Sequence, residues 1–393
     1  MSGRIAELAG MLKGRPRAVA GGLALALAVG AGGLLAARPQ PTPAEASLTA
    51  ARLPVVLPVR EAPEPPEALQ ARLEALARAY GEDVGIAVAD VDAGWTAGVD
   101  VEGFYPQQSV SKLWVAMAVL KAVDEGRLEL GKWVTMTDAD RSVFFQPVTG
   151  NIGPGGYRIQ ISALLRRAIV ESDNAANDRL IREVGGPDSV GFALAELGLE
   201  GVSVGAYERD LQAMVAGLPW RPEYGHGWNF QHARERLPLR VRQEALDAYL
   251  LNPLDGAQPA AVVRALSELK RGYLLSEEST GYLLDLLDEV RTGPRRLKGG
   301  LPPGWRIGHK TGTGQDFRGA SVGINDVGLL TAPDGKTYAV AVMMRRTWKS
   351  VPERLALMQA VSRAVVAEWE RGRREPLLPN LEVAVFGAEQ ADD

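Results

Sequence analysis

The chain has 393 residues, 46% hydrophobic and 23% charged, a globular composition with room for one large domain or two modest ones. Its net charge is −4 and its Lys and Arg form no basic block, which sets a nucleic-acid partner aside. With no cysteine there are no thiol nucleophiles, Cys-based zinc sites or disulfides, and His226, His232 and His309 show no metal-ligand spacing, so no metal is expected.

Arg4, Lys13, Arg15 and Arg17 precede an unbroken run of small and apolar residues over 18–37. A positive n-region before such a run reads as an export signal, and the run is also just long enough for an uncleaved membrane anchor. Ala44-Glu45-Ala46 offers a cleavage site. Residues 1–46 are therefore expected to be a signal peptide or an N-terminal membrane anchor. Either places the rest of the chain outside the cytoplasmic membrane, periplasmic or tethered to its outer side through 18–37. Residues 47–65, with Pro54, Pro58, Pro63 and Pro65, form a stiff linker.

The ordered domain is expected over 66–374. Leu69, Leu73, Leu76 and Ala77 recur at helical spacing and predict an amphipathic helix over 66–80. Two β-prone runs, 84–89 and 95–99, flank Asp90-Val91-Asp92-Ala93-Gly94 and predict an antiparallel hairpin. Ser109-Val110-Ser111-Lys112 then heads a segment, 111–123, that is apolar nearly all round, as in a helix buried on every side, with Gly126 as its stop. If that helix begins near Ser109, positions 109 and 112 share one face, and the lysine amine can reach the serine hydroxyl. A polar loop follows, then helices over 161–170, 175–184 and 189–197.

Between 218 and 251 the chain carries Trp220, Tyr224, Trp228, Phe230 and several arginines, with a helix over 240–250. Strand signals return only near the end, over 305–311, 320–331 and 337–344, with Pro333-Asp334-Gly335-Lys336 as the turn between the last two. A helix over 351–369 follows, and the tail, 375–393, has no period. Strands at both ends and helices between predict an α/β (α+β) fold, one sheet assembled from distant parts of the chain and covered by helices.

A lone S-x-x-K is weak, since a capping serine and a solvated lysine explain it as well. Here it is followed by Ser172-Asp173-Asn174 on a loop between helices and by Lys310-Thr311-Gly312 closing a strand. That set, in that order and context, matches the motifs of class A β-lactamases and penicillin-binding proteins. From about 66 to 369 the chain resembles the class A serine β-lactamases. The likeness also rests on the early hairpin, on Phe144-Phe145-Gln146-Pro147-Val148-Thr149, and on Asn174-Ala175-Ala176-Asn177 leading to Gly185-Gly186-Pro187. Leu301-Pro302-Pro303-Gly304-Trp305 and His309-Lys310-Thr311-Gly312-Thr313-Gly314 extend it.

The resemblance implies a two-lobed fold, an antiparallel sheet lobe and an all-helical lobe, with Ser109 at the seam and a small β-lactam as substrate. Ser109 would be the acylated nucleophile and Lys112 its activating neighbour. Ser172 would relay a proton to the lactam nitrogen, and Asn174 would hold the substrate's side-chain amide. Lys310 and Thr311, continuing into Gly312 and Thr313, would hold its carboxylate, with the N–H groups of Ser109 and Thr313 as oxyanion hole. Phe145 falls at the mouth of the cleft, and Arg296 where some members place an arginine behind the carboxylate site. No cofactor is required.

Glu208, 36 positions after Ser172, falls where the family has the glutamate that activates the hydrolytic water. Arg209 replaces the usual proline after it, and Gln212 the asparagine that shares the water. The segment 218–251 is an insertion of roughly thirty residues beyond the family's usual length, expected as a surface helix packed by its aromatics, or else as a wall of the cleft or a docking surface. The alternatives are a DD-peptidase-like serine acyl hydrolase and a penicillin-binding sensor or scaffold at the cell wall that acylates without turnover. The sequence assigns no oligomeric state. Gly201-Val202-Ser203-Val204-Gly205 matches the nucleophile-elbow pattern G-x-S-x-G, but a predicted helix precedes it and a loop follows, so it is read as a loop.

Overall fold

The structure, a computed structural model, describes residues 62–374, so the expected signal or anchor, nearly all of the linker and the tail lie outside the described residues. The first helix, α1 (Glu67–Tyr80), buries Leu69 and Leu73 and ends on Gly81 in the left-handed conformation. It leads into β1 (Val84–Asp90) and β2 (Thr96–Val99), which pair antiparallel with Ile86 opposite Val99. A two-residue strand, β3 (Tyr105–Pro106), and a 3-10 turn over Gln108–Ser111 run directly into α2 (Lys112–Asp124).

The helical lobe is built around α2, on which ten of thirteen residues are buried, so the expectation of a helix enclosed on every side holds. A small antiparallel pair, β4 (Trp133–Met136) and β5 (Tyr157–Gln160), lies where only a polar loop was expected. Its inward residues on β4 are just Val134 and Met136, too few for a period of two to stand out. Then come α3 (Ile161–Arg166), α4 (Asn174–Glu183), α5 (Pro187–Glu196) and α6 (Glu208–Val215). The helix expected over 161–170 is α only as far as Arg166 and continues as a π turn over Arg167–Glu171.

The insertion supplies α7 (Asn229–Glu235), which the sequence did not signal, and α8 (Leu239–Leu251), which it did. A second two-residue strand, β6 (Gly256–Ala257), pairs with β3, and α9 (Pro259–Lys270) and α10 (Glu277–Asp288) follow. The chain closes with β7 (Arg306–Gly312), β8 (Ser321–Thr331), β9 (Thr337–Thr347) and α11 (Val351–Arg374). The main sheet has the order β2-β1-β9-β8-β7, all antiparallel, so strands from both ends of the described chain meet at its centre.

The pleat sorts side chains between two cores. On one face Ile86, Val88, Tyr338, Val340, Val342 and Met344 pack with Leu69 and Leu73 of α1 and Leu357, Val361 and Val365 of α11. On the other, Ala87, Ala89, Ala339 and Ala341 join Val262, Val263 and Leu266 of α9 and the apolar residues of α2. Small residues let the helices sit close on that face. Among the described residues no helix is long and apolar enough to cross a membrane.

Candidate active site

Ser109 lies in the 3-10 turn, not in the α-helix, and Lys112 is the first residue of α2. The tighter turn still puts them on one side: Lys112 Nζ donates to Ser109 Oγ at 2.9 Å. The turn is anchored by its first residue, Gln108, which holds φ at +54°, a conformation costly for a non-glycine side chain. Gln108 N–H donates to Asp255 Oδ2 at 2.6 Å, and its side-chain Nε2 to Tyr249 Oη at 2.6 Å. Asn325 of β8 donates to the carbonyls of Pro106 and Gln107, tying the same stretch to the sheet.

Lys112 is fully buried, and its Nζ also donates to Glu208 Oε2 at 2.8 Å. Burial alone would raise the Glu208 carboxyl, but the Lys112 ammonium, hydrogen bonds from Lys112 and Gln212, and the charge of Lys310 hold it below the usual range. Glu208 is therefore ionised at neutral pH. It opens α6, and its own N–H donates to Asp178 Oδ1 at 2.6 Å, while Asp178 Oδ2 accepts from Arg209 N–H at 3.2 Å and Ser142 Oγ at 2.8 Å. Burial, with the nearby Glu208 charge, pushes the Asp178 carboxyl up to about 7.

Gln212, one turn along α6, donates from Nε2 to Glu208 Oε1 at 2.9 Å and to Gln108 Oε1 at 2.7 Å. Its Oε1 accepts from Gln315 Nε2 at 2.9 Å, and Gln315 Oε1 in turn accepts from Arg234 Nη1 at 2.7 Å. A continuous hydrogen-bonded path thus runs from Arg234 on α7 to Glu208.

Ser172 follows the π turn with φ at +66°, and Asp173 caps α4, accepting from Ala176 N–H at 2.9 Å and Val148 N–H at 2.7 Å. Asn174 opens α4; its N–H donates to Phe145 O at 2.9 Å and its Nδ2 to Val143 O at 2.8 Å. From β7, Lys310 Nζ donates to Ser172 Oγ at 2.9 Å and to Thr311 O at 3.1 Å. Burial first, then the charge of Lys112, push the Lys310 amine well below its ordinary value, and Glu208 partly offsets this.

At the end of β7, Thr311 Oγ1 shares a 2.6 Å hydrogen bond with Thr292 Oγ1. Arg296 Nη1 donates to Gly312 O at 2.8 Å and Nη2 to Thr313 Oγ1 at 2.6 Å. A Cβ on Gly312 would stand 2.2 Å from Gln107 O, so only glycine fits between the strand and the nucleophile turn. Phe145 is 55% exposed at the rim, and its neighbour Phe144 meets Phe230 of the insertion edge-on, centroids 5.2 Å apart.

These groups line one cleft of about 460 Å³: Ser109, Phe145, Ser172, Asn174, Glu208, Gln212, Arg296, Thr311 and Thr313 all face it. Lys112 and Lys310 lie beneath its floor, fully buried. A cavity of about 500 Å³ between β1, β2 and α9 contains none of them. Ser203 of the G-x-S-x-G stretch instead donates to Leu254 O at 3.0 Å and Gly256 O at 2.9 Å.

The structure adds Gln108, Asp178, Arg234 and Gln315 to the set picked out in the sequence. Asp178 had a signal, since it lies four positions after Asn174 on one helix and so on the same face. Arg234 had none, because it belongs to the insertion, where no motif applies.

The arrangement offers a hydroxyl in contact with a buried ammonium, an ionised carboxylate on the same ammonium, and a second buried lysine bonded to a second serine. That is equipment for acyl transfer to a serine followed by attack of water. A family described as the beta-lactamase enzyme family matches residues 68–369. Beta-lactamase VEB-1 of Pseudomonas aeruginosa is 26% identical over 70% of this chain and 82% of its own length. The extended-spectrum beta-lactamase PER-1 of the same organism is 28% identical over 70% and 79%. A solved beta-lactamase from Chitinophaga pinensis superposes with a TM-score of 0.63 at 25% identity, covering 77% of this chain and 99% of that one.

Proposed function

Because the chain belongs to the beta-lactamase enzyme family, we propose that it opens the β-lactam amide through an acyl-enzyme on Ser109 that Glu208-activated water then hydrolyses. The enzyme is a hydrolase acting on β-lactams, of the class A serine type. The observation that carries the two-step reading is the single Lys112 ammonium touching both Ser109 Oγ and Glu208 Oε2. It holds the nucleophile of the first step and the base of the second within one hydrogen-bonded unit.

In the first step Ser109 Oγ attacks the lactam carbonyl and its proton leaves through the Lys112–Glu208 unit. The oxyanion is taken by the N–H groups of Ser109 and Thr313, each worth on the order of a few kcal/mol. The lactam C–N bond breaks, and the nitrogen receives a proton through Ser172, whose hydroxyl Lys310 holds. Asn174 orients the substrate's side-chain amide, and Lys310, Thr311 and Thr313 hold its ring carboxylate, with Arg296 supporting that site from behind through Gly312 and Thr313. Gly312 lets the strand approach, and Phe145 closes the rim. Once the unit has passed the first proton on and Glu208 is again a carboxylate, water bound to it gives that carboxylate a proton and attacks the ester carbon; the acyl C–Oγ bond breaks, and Ser109 Oγ takes the proton back through Lys112. Gln212 serves chiefly to fix Glu208, since its amide is already bonded to Glu208, Gln108 and Gln315.

We also read 66–374 as the catalytic domain, 1–46 as the export signal or anchor, and 47–65 as a linker, with the domain outside the cytoplasmic membrane. The reaction is tested by mixing the purified protein with a chromogenic cephalosporin. Steady turnover is expected. One stoichiometric burst followed by silence would instead support a penicillin-binding sensor or a DD-peptidase-like hydrolase.

A further inference from the structure

The insertion places a single arginine in the cleft. Arg234 of α7 lines it beside Phe144, Gln212 and Gln315. Its guanidinium carbon stands 5.9 Å from the centre of the Phe144 ring, and Nη1 donates to Gln315 Oε1 at 2.7 Å. Nε is buried with no hydrogen-bond partner, and among the described residues no carboxylate forms an ion pair with this side chain. Asp316 lines the same cleft and lends its charge from a distance, but its Oδ1 accepts from Ser321 Oγ at 2.6 Å and it makes no ion pair with Arg234. Burial and the charge of Arg242 both weigh against the Arg234 cation, and Glu235 and Asp316 offset them only in part. The cleft therefore holds a partly desolvated cation with no carboxylate paired to it directly and with Nε lacking an acceptor.

Its place says which part of a substrate it would meet. Arg296, the other arginine in the cleft, is committed to Gly312, Asn325 and Thr313 at the end of β7. Arg234 sits against the Phe144 segment, where Asn174 is anchored through Val143 and Phe145, and against Gln315. In the reading proposed above, Asn174 holds the amide of the acyl side chain, so groups further along that side chain run toward Arg234.

We propose that Arg234 recognises an anionic group on the acyl side chain, so that the cleft favours β-lactams carrying a side-chain carboxylate over neutral counterparts. This rests on the β-lactam reading of the cleft. A guanidinium suits that ligand because its planar donors match a carboxylate and its charge cannot be lost at neutral pH.

The test uses benzylpenicillin and carbenicillin, which differ by one side-chain carboxylate. In Arg234→Gln, the ratio of kcat/KM for carbenicillin to that for benzylpenicillin is expected to fall about tenfold from wild type, with KM carrying the change. Arg234→Lys, which keeps the charge, should recover part of the ratio and guards against a folding defect in the first variant. The ratio of dissociation constants in a Ser109→Ala background gives the same comparison without turnover. It decides the matter even if wild type proves unable to hydrolyse either compound, an outcome that would count against the hydrolase reading alone. If both compounds weaken equally, Arg234 acts through Gln315 on Gln212 and Glu208 as a positioning residue, and the proposal is overturned. An unchanged ratio overturns it as well.

Discussion

Lys112 makes its two contacts only because Glu208 is brought to it, and Asp178 does much of that bringing. The Asp178 carboxylate accepts the first two N–H groups of α6, which have no partner inside the helix, and a hydroxyl from Ser142. Asp178→Ala would leave those donors buried and unpaired, at a cost of about 1–3 kcal/mol each. The expected outcome is a clear drop in melting temperature together with slower decay of the acyl-enzyme, read by quenched-flow mass spectrometry. Loss of stability with unchanged decay would confine Asp178 to a structural role. Among single residues, the legible ones were those in motifs, such as Ser109, Ser172 and Lys310. Gln108 and Gln315 were not legible, because a buried glutamine declares its partners only once distant segments meet.

At the scale of elements, the insertion supports the cleft from two sides. Leu246, Tyr249 and Leu250 of α8 pack on Leu211 and Val215 of α6, the helix that carries Glu208. Phe230 of α7 is buried among Val143, Tyr224, Ala213 and Ala216 and meets the Phe144 ring. The expected helix is present as α8, but the insertion's aromatics Tyr224 and Phe230 pack in a separate cluster with Val143, Ala213 and Ala216 rather than on it, and only Arg234 of α7 lines the cleft. Phe230→Ala should cost about 3–5 kcal/mol by the cavity it leaves, and turnover should fall because α6 and Phe144 both lose a neighbour. Chemical denaturation and steady-state kinetics on the same preparation check both. A stable variant with normal turnover would show that the insertion merely covers the surface. In β7, Gly312→Ala should cost about 1–3 kcal/mol and disturb the nucleophile turn, since its Cβ would overlap the Gln107 carbonyl. Long strands such as β8 and β9 were legible as extended β-prone runs joined by a turn, whereas β3 and β6, of two residues each, exist only through their pairing.

For the whole molecule, the chain order of strands and helices was enough to anticipate one sheet joined from both ends and covered by helices, whereas the separate helical lobe was expected only from the family resemblance. The insertion's path and the buried acids were not legible, since both depend on tertiary contacts. Those acids make stability depend on pH. Burial, opposed by hydrogen bonds from Tyr249 and Gln108, pushes Asp255 up to about 7, and Asp178 is raised to about 7 as well. The unfolded chain releases these protons near the ordinary aspartate value of 3.8, so the folded state holds protons that the unfolded state has lost over that interval. Each group then subtracts stability progressively as pH rises toward 7, by at most about 4 kcal/mol. The lowered Glu208 acts below that window, and the depressed Lys310 acts in the opposite sense, so the difference between variant and wild type is the cleaner readout. Asp255→Asn should lose less unfolding free energy than wild type between pH 5 and pH 8 in urea titrations; parallel curves would exclude this role. Turnover depends on release of the acyl group, and the most direct test of that step is mass spectrometry of Glu208→Gln after brief exposure to benzylpenicillin. A persistent adduct of one substrate mass on the peptide containing Ser109 is the predicted result, and turnover at the wild-type rate with no adduct would contradict it.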